Sequence, residues 1–258
     1  MRRTIGLLAV AASAVLLLAA AAAAETLIGT GGNDVLKGTA APDQIYGEDG
    51  ADQIEGLGGS DYLEGGPGDD RIDAGAGIDL AIGGTGNDQV DLGVGDDVAY
   101  AGAGNDQVLG EDGRDILFGQ AGDDRLYGGP GNDSIYAGVG DDFADGGAGA
   151  DRIFAGPGTS ALRGGADNDV IAGSGGGTFT VDGGPGNDRI VTSSGNDRVT
   201  PGSGRDTVST GAGNDFVDAK DGRRDVVRCG AGNDTAVADV RDVLHGCEHR
   251  LAQPPPSP

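Results

Sequence analysis

A strict period of nine residues constrains the fold of this chain more than any other feature. Residues 83–151 read as consecutive nine-residue steps such as GGTGNDQVD and GGPGNDSIY, with glycine at position 4, aspartate at position 6 and an apolar residue at position 8. The first six residues, rich in glycine and Asn or Asp, favour a tight turn. The next three place one apolar side chain between two outward ones, which predicts a short strand. Turn and strand, repeated, predict an all-β solenoid of parallel strands.

Composition narrows the possible functions. The 258 residues include 54 glycines, 42 acidic and 17 basic residues, which gives a formal charge of −25. Such a chain cannot bury a thick core, and its composition alone would also suit a disordered protein. The period of nine argues against plain disorder, and also against collagen, which needs glycine at every third position. The acidic charge argues against nucleic-acid binding by counterion release and favours cations as partners.

The first 24 residues predict a secretory signal peptide. Two arginines, Arg2 and Arg3, precede an apolar run over residues 5–24 that ends in alanines suited to cleavage. Cleavage would give a secreted chain that begins at about Glu25 and has no membrane span. The alternative is an uncleaved anchor, because the run is about long enough to cross a bilayer.

The aspartates at position 6 are the candidate metal ligands. A preference of aspartate for turns does not explain one fixed position in fourteen consecutive repeats, from Asp34 to Asp151. Turns stacked about 4.8 Å apart would also align these carboxylates in rows of like charge, which oppose folding without a counterion. Carboxylates and free turn carbonyls suit Ca²⁺, whereas Mg²⁺ needs a tighter octahedron and softer metals prefer His and Cys. The candidate calcium ligands are Asp34, Asp43, Asp52, Asp61, Asp70, Asp79, Asp88, Asp97, Asp106, Asp115, Asp124, Asp133, Asp142, Asp151, Asp169, Asp188, Asp197, Asp206 and Asp215.

The repeat GGxGxDxUx, where U is apolar, resembles the RTX (haemolysin-type) calcium-binding nonapeptide. The resemblance covers residues 29–237 and rests on a long tandem run rather than on a single match. It implies a right-handed parallel β-roll with two repeats per turn that binds multiple Ca²⁺ ions. It also implies that each calcium lies between aspartates 18 residues apart, such as Asp88 and Asp106 or Asp97 and Asp115, together with turn carbonyls.

The expected function follows from this resemblance and from what the chain lacks. Many RTX proteins leave the cell through an uncleaved C-terminal signal, whereas we expect an N-terminal signal here. Many also carry a protease, lipase or toxin domain, and none is visible in this sequence. The sequence contains no H-E-x-x-H and no G-x-S-x-G motif, so we expect no enzymatic activity. We expect a secreted calcium-binding roll over residues 25–237, of about 11 turns and about 55 Å, with a structural or adhesive role. The alternative is a non-catalytic module or accessory protein of an extracellular polysaccharide-modifying or hydrolytic enzyme.

The repeat is irregular over residues 155–182. Ser160 takes the aspartate position, Asp169 restores it, and Thr178 is the next residue in the nine-residue count. Since Ser160 and Thr178 are 18 residues apart, both losses should fall on one edge of the solenoid. We expect that edge to lack calcium and to open first when calcium is limiting, while the opposite edge, through Asp151 and Asp169, keeps its ligands.

The C-terminal segment, residues 238–258, departs from the repeat and is expected to form a cap followed by a proline-rich tail. Cys229 and Cys247, the only cysteines, bracket the start of this segment, which in a secreted chain predicts one disulfide. Zinc held by these cysteines with His245 and His249 is the alternative, although the C-x-x-C spacing typical of zinc sites is missing.

The two faces of the solenoid should differ, because positions 7 and 9 point outward if position 8 points inward. One face is apolar, with Leu80, Ile82, Val98, Tyr100, Ile116, Phe118, Tyr136, Phe154 and Val170. The other shows Arg71, Asp73, Gln89, Asp91, Gln107 and Arg125. Tyr100, Phe118, Tyr136 and Phe154 recur every 18 residues and should stack as a ladder. The ladder either stabilises the sheet or forms a surface for self-association, a cell surface or a glycan.

Overall fold

The computed structural model describes residues 23–252, which form one parallel β-solenoid. The expected signal peptide, apart from its last two residues, and the proline-rich tail lie outside the described residues. Within the described part of the chain, no helix is long and apolar enough to span a bilayer. Two 13-stranded sheets, called sheet A and sheet B, run along the solenoid, and strands alternate between them along most of the chain.

The strand boundaries follow the repeat. Sheet A contains, in spatial order, Thr26–Ile28 (β1), Gln44–Tyr46 (β3), Tyr62–Pro67 (β6), Leu80–Thr85 (β9), Val98–Ala103 (β11), Ile116–Ala121 (β13), Ser134–Val139 (β15), Arg152–Ala155 (β17), Val170–Gly173 (β19), Arg189–Val191 (β21), Thr207–Ser209 (β23), Val226–Arg228 (β25) and Val243–His245 (β27). Sheet B contains Val35–Lys37 (β2), Gln53–Glu55 (β4), Arg71–Asp73 (β7), Gln89–Asp91 (β10), Gln107–Leu109 (β12), Arg125–Pro130 (β14), Phe143–Ala148 (β16), Thr159–Ala166 (β18), Thr178–Asp182 (β20), Arg198–Thr200 (β22), Phe216–Ala219 (β24), Thr235–Ala238 (β26) and His249–Ala252 (β28). Gly58–Gly59 (β5) and Ala76–Gly77 (β8) form a third sheet of two strands.

The register confirms two repeats per turn. Gln89 pairs with Gln107 and Val90 with Val108, so equivalent residues 18 positions apart lie side by side in parallel strands. The expectation of about 11 turns was too low, since each main sheet has 13 strands. The difference lies at the ends, where β1, β27 and β28 add strands outside the regular repeat. Thirteen strands spaced about 4.8 Å apart give a rod of about 58 Å.

The core is a single layer of side chains between the two sheets. The apolar residues at position 8 point inward as expected and are buried: Val90, Ala99, Val108, Leu117, Leu126, Ile135 and Ala144. Some strands bury a second apolar side chain two residues later, such as Ala101 after Ala99 and Ala137 after Ile135, and all of these side chains form one narrow stack. Burying one such side chain contributes about 1.5–3 kcal/mol, so a thin core gains stability only through its length.

The irregular stretch is shifted by one residue relative to the expectation. Ser160 pairs with Phe179, and Thr159 pairs with Thr178, so Phe179 and not Thr178 occupies the aspartate position. The extra residue is accommodated before β20, where Gly175 and Gly176 both have positive φ angles near 80°. An inserted residue in the turn moves every later residue forward by one. A strict nine-residue spacing therefore assigned Thr178 to the aspartate position instead of Phe179.

The C-terminal segment extends both sheets instead of only covering them. β27 pairs with β25, and β28 pairs with β26. Cys229 and Cys247 form the predicted disulfide, which joins two neighbouring turns. The disulfide uses both thiols, so the zinc alternative with His245 and His249 is wrong.

Candidate metal centres

The repeat aspartates are buried inside the turns. From Asp43 to Asp151, every position-6 aspartate has an exposed fraction of 3% or less. Each one directly precedes a strand, and its side chain turns inward beneath the glycine-rich turn. Solvated turn residues would be exposed, so the simple turn-preference explanation of these aspartates is wrong.

The aspartates form two columns that run along the two edges of the solenoid. The A column precedes the strands of sheet A and contains Asp43, Asp61, Asp79, Asp97, Asp115, Asp133, Asp151, Asp169, Asp188, Asp206, Asp225 and Asp242. The B column precedes the strands of sheet B and contains Asp34, Asp52, Asp70, Asp88, Asp106, Asp124, Asp142, Asp197, Asp215 and Asp234. The sequence therefore brings together the aspartate pairs that the 18-residue spacing predicts.

Successive aspartates of a column are joined by a repeated hydrogen bond. The backbone N–H of Asp88 donates to Oδ1 of Asp106 at 2.8 Å, and the N–H of Asp106 donates to Oδ1 of Asp124 at 3.0 Å. The A column continues in this way without a break from Asp43 to Asp242. One carboxylate oxygen of each linked aspartate therefore accepts a hydrogen bond from the backbone of the preceding turn.

The second carboxylate oxygen has no partner. In residues 23–252, nineteen aspartates bury an Oδ2 atom that accepts no hydrogen bond. They are Asp52, Asp61, Asp70, Asp79, Asp88, Asp97, Asp106, Asp115, Asp124, Asp133, Asp142, Asp151, Asp169, Asp188, Asp197, Asp206, Asp215, Asp225 and Asp234. The first two predicted ligands differ, because Oδ2 of Asp34 accepts from the N–H of Thr30 and Oδ2 of Asp43 from the N–H of Thr39. Buried polar atoms are normally paired, so a repeated set of unpaired carboxylate oxygens points to a cation.

Turn carbonyls lie beside these carboxylate oxygens. A Cβ added to Gly83 would lie 2.5 Å from Oδ2 of Asp88 and would also overlap the carbonyl oxygen of Ala101 in the next turn. A Cβ added to Gly47 would overlap Oδ2 of Asp52 and would lie 2.5 Å from the carbonyl oxygen of Gly65. A carboxylate oxygen and a backbone oxygen thus face the same small cavity. This cavity stays open because glycine has no side chain.

The buried carboxylates resist ionisation in the absence of a counterion. Burial, together with the neighbouring carboxylates of Asp106 and Asp70, raises the pKa of Asp88 to about 7, although the hydrogen bond from the Asp70 N–H lowers it. Burial likewise raises the pKa of Asp115 and of Asp151 to about 7. Rows of like charge in a dry turn oppose the ionised form, so the columns need protons or cations.

The donor set fits calcium. In the described residues, no three side chains of His, Cys, Asp or Glu converge on one point, so softer metals lack their preferred ligands. What converges is a carboxylate oxygen from each turn with uncharged carbonyl oxygens, and Ca²⁺ accepts six to eight such oxygens in flexible geometry. These residues would hold calcium between successive turns of each column.

Four acidic residues near the C-terminus were missing from the predicted ligand set. Asp225 and Asp234 occupy column positions with the same unpaired Oδ2, and Asp242 ends the A column by accepting from Asp225. Glu248 ends the B column, where its Oε2 accepts from the N–H of Asp234 at 2.9 Å. Asp225 and Asp234 follow the repeat once a ten-residue step is allowed, whereas Asp242 and Glu248 come after shortened spacings of 17 and 14 residues.

The B column is interrupted once. The N–H of Asp142 donates to the hydroxyl of Ser160 at 3.3 Å, and the next column position is Phe179, whose ring cannot accept. The column resumes where the N–H of Phe179 donates to Oδ1 of Asp197 at 2.9 Å. At the same level the A column is continuous, since Asp151 donates to Asp169 at 2.8 Å.

The predicted aromatic ladder is present on sheet A. The ring centroids of Tyr100 and Phe118 lie 4.7 Å apart, those of Phe118 and Tyr136 4.9 Å, and those of Tyr136 and Phe154 5.2 Å. The rings are nearly parallel, with interplanar angles of 4°, 12° and 16°. Because the rings face one another, their edges, and not their faces, point outward.

The comparison with protein families agrees with this geometry. A family model described as the RTX calcium-binding nonapeptide repeat (4 copies) matches eleven overlapping segments. The segments are residues 28–63, 49–81, 64–99, 82–117, 100–135, 109–144, 127–161, 145–178, 182–217, 195–226 and 202–236. No curated protein sequence matches the chain closely enough to count as a relative. Among solved structures, the chain is similar to a hyperactive, Ca²⁺-dependent, β-helical antifreeze protein from an Antarctic bacterium, with 19% identity, 84% of each chain covered and a TM-score of 0.39.

Proposed function

Because the chain belongs to the family of RTX calcium-binding nonapeptide-repeat proteins, we propose that it is a secreted structural protein that calcium folds into a rigid rod. Calcium is the cofactor of such repeats, and it would lie in the A and B columns. The rod itself is the functional product, since it presents two long sheet faces at fixed spacing.

The unpaired Oδ2 atoms carry this proposal. Leaving one buried polar group without a partner costs about 1–3 kcal/mol, and more if it is charged. Nineteen such atoms in two columns would make the metal-free fold unfavourable. Bound calcium supplies the positive charge that these oxygens lack. The binding free energy of the ions then becomes folding free energy.

The residues of each turn have separate roles in this folding step. Oδ1 of Asp106 fixes the backbone of the preceding turn by accepting from Asp88, while Oδ2 stays free to bind the cation. The aliphatic stack, such as Val90 against Val108, joins the turns without any ion. The aliphatic stack fixes the register of the strands, and calcium binding in the two aspartate columns makes the folded state stable.

A non-catalytic, extracellular role fits the chain better than an enzymatic one. The paired acids of the repeat, such as Asp123 and Asp124, divide into an exposed residue and a buried column residue, which does not place two carboxylates around a substrate. The second candidate is a module or accessory protein of a polysaccharide-modifying or hydrolytic enzyme. Calcium-dependent binding to a polysaccharide without turnover would favour this second candidate.

The aromatic ladder supports a structural role first. Each stacked ring pair contributes about 0.5–1.5 kcal/mol beyond its buried area. A flat sugar ring would need an open aromatic face, but the faces of Phe118 and Tyr136 are covered by their neighbours. Contact with a second copy, a cell surface or a glycan through this face stays a prediction. A variant with Tyr100→Ser and Tyr136→Ser that self-associates and binds surfaces like the parent would contradict it.

A calcium titration tests the proposed function. The chain is prepared in chelator and followed by far-UV circular dichroism as calcium is added, with magnesium as the control ion. We expect a cooperative change from coil to β-structure at about 10⁻⁴–10⁻³ M calcium, the range of extracellular calcium modules. A chain with full β-structure in chelator would mean that the turns and the aliphatic stack suffice, and the proposal would be wrong.

A further inference from the structure

At one position of the B column, an aromatic side chain replaces the aspartate. Phe179 occupies the aspartate position and is fully buried, and it is the only aromatic residue in the described core. The column residue before it, Ser160, is also uncharged and buried. The matches to the RTX repeat stop at residue 178 and resume at residue 182, so this position departs from the family pattern as well.

The ring of Phe179 fills the place that a carboxylate oxygen takes elsewhere. In a regular turn, Gly83 faces Oδ2 of Asp88. In this turn, Gly173 faces the ring instead, and a Cβ added to Gly173 would lie 2.7–2.8 Å from three ring carbons. Gly173 pairs with Ala155, which places it at position 1 of the repeat like Gly83. The cavity that would otherwise receive a cation is therefore filled with apolar atoms.

We propose that the turn over residues 173–179 forms without calcium and acts as the preformed segment from which the calcium-dependent turns fold in both directions. This inference rests on the proposed function, because it assigns one exception within the calcium columns. It reverses the expectation that this edge opens first when calcium is limiting.

The balance of charge and burial supports this assignment. Two successive B-column positions carry no charge, so the repulsion that opposes the metal-free fold is absent from that edge. The A column still passes this level through Asp169, so about half of the local carboxylates remain. Full burial of a phenylalanine side chain contributes about 1.5–3 kcal/mol, and this contribution does not depend on an ion.

Hydrogen–deuterium exchange at limiting calcium tests the order of opening. We expect amides of residues 170–182 to exchange more slowly than those of residues 88–142, because the latter lose their ions first. In Phe179→Ala the same amides should exchange on the order of 100-fold faster, the effect of deleting a buried phenyl group. Phe143→Ala, which removes an outward-facing ring on β16, is the matched control and should leave the order unchanged.

Two further variants test whether the ring replaces a metal site. Ser160→Asp and Phe179→Asp should each bind about one more calcium ion by calorimetry, and the double variant about three, because an ion lies between successive aspartates of a column.

Gly173→Ala should destabilise the parent chain by crowding the ring, but should have little effect in a Phe179→Ala background. This pair gives a test that does not depend on calcium stoichiometry.

The outcomes separate the two proposals. If calcium protects no part of the chain, the proposed function fails and the inference fails with it. If calcium protects residues 88–142 but residues 170–182 open first or at the same calcium concentration, the inference alone is overturned. The same conclusion follows if Gly173→Ala is equally destabilising with and without the Phe179 ring.

Discussion

The backbone N–H of Asp88 donates a 2.8 Å hydrogen bond to Oδ1 of Asp106, whereas Oδ2 of Asp106 is buried without a partner. One oxygen of the Asp106 side chain thus accepts a backbone hydrogen bond, and the other is left free to bind an ion. This division lets the two roles be separated by substitution, because an amide keeps the acceptor and loses the charge.

Asp106→Asn should preserve the turn and lose calcium. The amide oxygen can still accept from Asp88, but the two ions expected on either side of residue 106 lose a charged ligand. We expect a calorimetric stoichiometry lower by up to two ions and a higher calcium midpoint for folding. Asp123→Asn is the matched control, since it removes an exposed charge and keeps an acceptor for the N–H of Asp141. An equal loss of calcium in both variants would contradict the assignment.

Acid should partly replace calcium in the metal-free chain. Burial raises the pKa of Asp79, Asp115 and Asp124 from 3.8 to about 7. A raised folded-state pKa means that the folded chain binds more protons, so its stability is greatest below pH 4 and is lost as the pH rises through about 7. In chelator, β-structure measured by circular dichroism should therefore increase from pH 8 to pH 5. A signal that is independent of pH, or that falls on acidification, would contradict this linkage.

Gly86→Ala should destabilise the rod even when calcium is saturating. Gly86 has a φ of +132°, and a Cβ at this position would overlap the carbonyl oxygen of Gly68 in the preceding turn. Strain of this kind costs about 1–3 kcal/mol. Thermal unfolding in excess calcium measures the loss. Gly31→Ala is the control, because a Cβ there has no neighbour within 4 Å, and a similar cost at both positions would argue against the close turn packing.

Reduction of the disulfide should release the C-terminal turn. Cys229 and Cys247 are 18 residues apart, and a closed loop of this length stabilises a fold by about 3 kcal/mol. In Cys229→Ser with Cys247→Ser, β27 and β28 should become the first sites of limited proteolysis, while calcium binding by residues 88–142 is unchanged. Protection of the C-terminal turn equal to that of the parent would show that strand pairing alone holds it.

The sequence predicted the parts of the fold that repeat. A residue such as Val90 points inward because every equivalent residue is apolar, and Asp88 joins a column because its position is fixed in each turn. These features follow from a strict period, since two repeats per turn align residues 18 positions apart. The burial of the aspartates was not predicted, because the period shows which carboxylates align but not how closely the turns enclose them.

The parts that break the period could not be predicted from it. One inserted residue before β20 places Phe179 in the column instead of Thr178. The nine-residue period does not show at which end of a turn an extra residue is accommodated. At the C-terminus, Glu248 lies 14 residues after Asp234 yet takes the next place in the column. Because β28 pairs with β26 so that His249 lies beside Thr235, Glu248 lies beside Asp234, and pattern matching with aspartate alone does not detect it.

The disulfide also makes the two ends of the rod differ in how firmly they are held. At one end, β1 and β2 leave Ile28 65% and Val35 75% exposed, and the first described turn has no disulfide because both cysteines lie near the other end. At the other end, a covalent bond ties β25 to the segment that leads into the last strand. A tensile load on the chain would therefore unwind the solenoid first from its N-terminal end, while the turn closed by the disulfide would resist extension the longest.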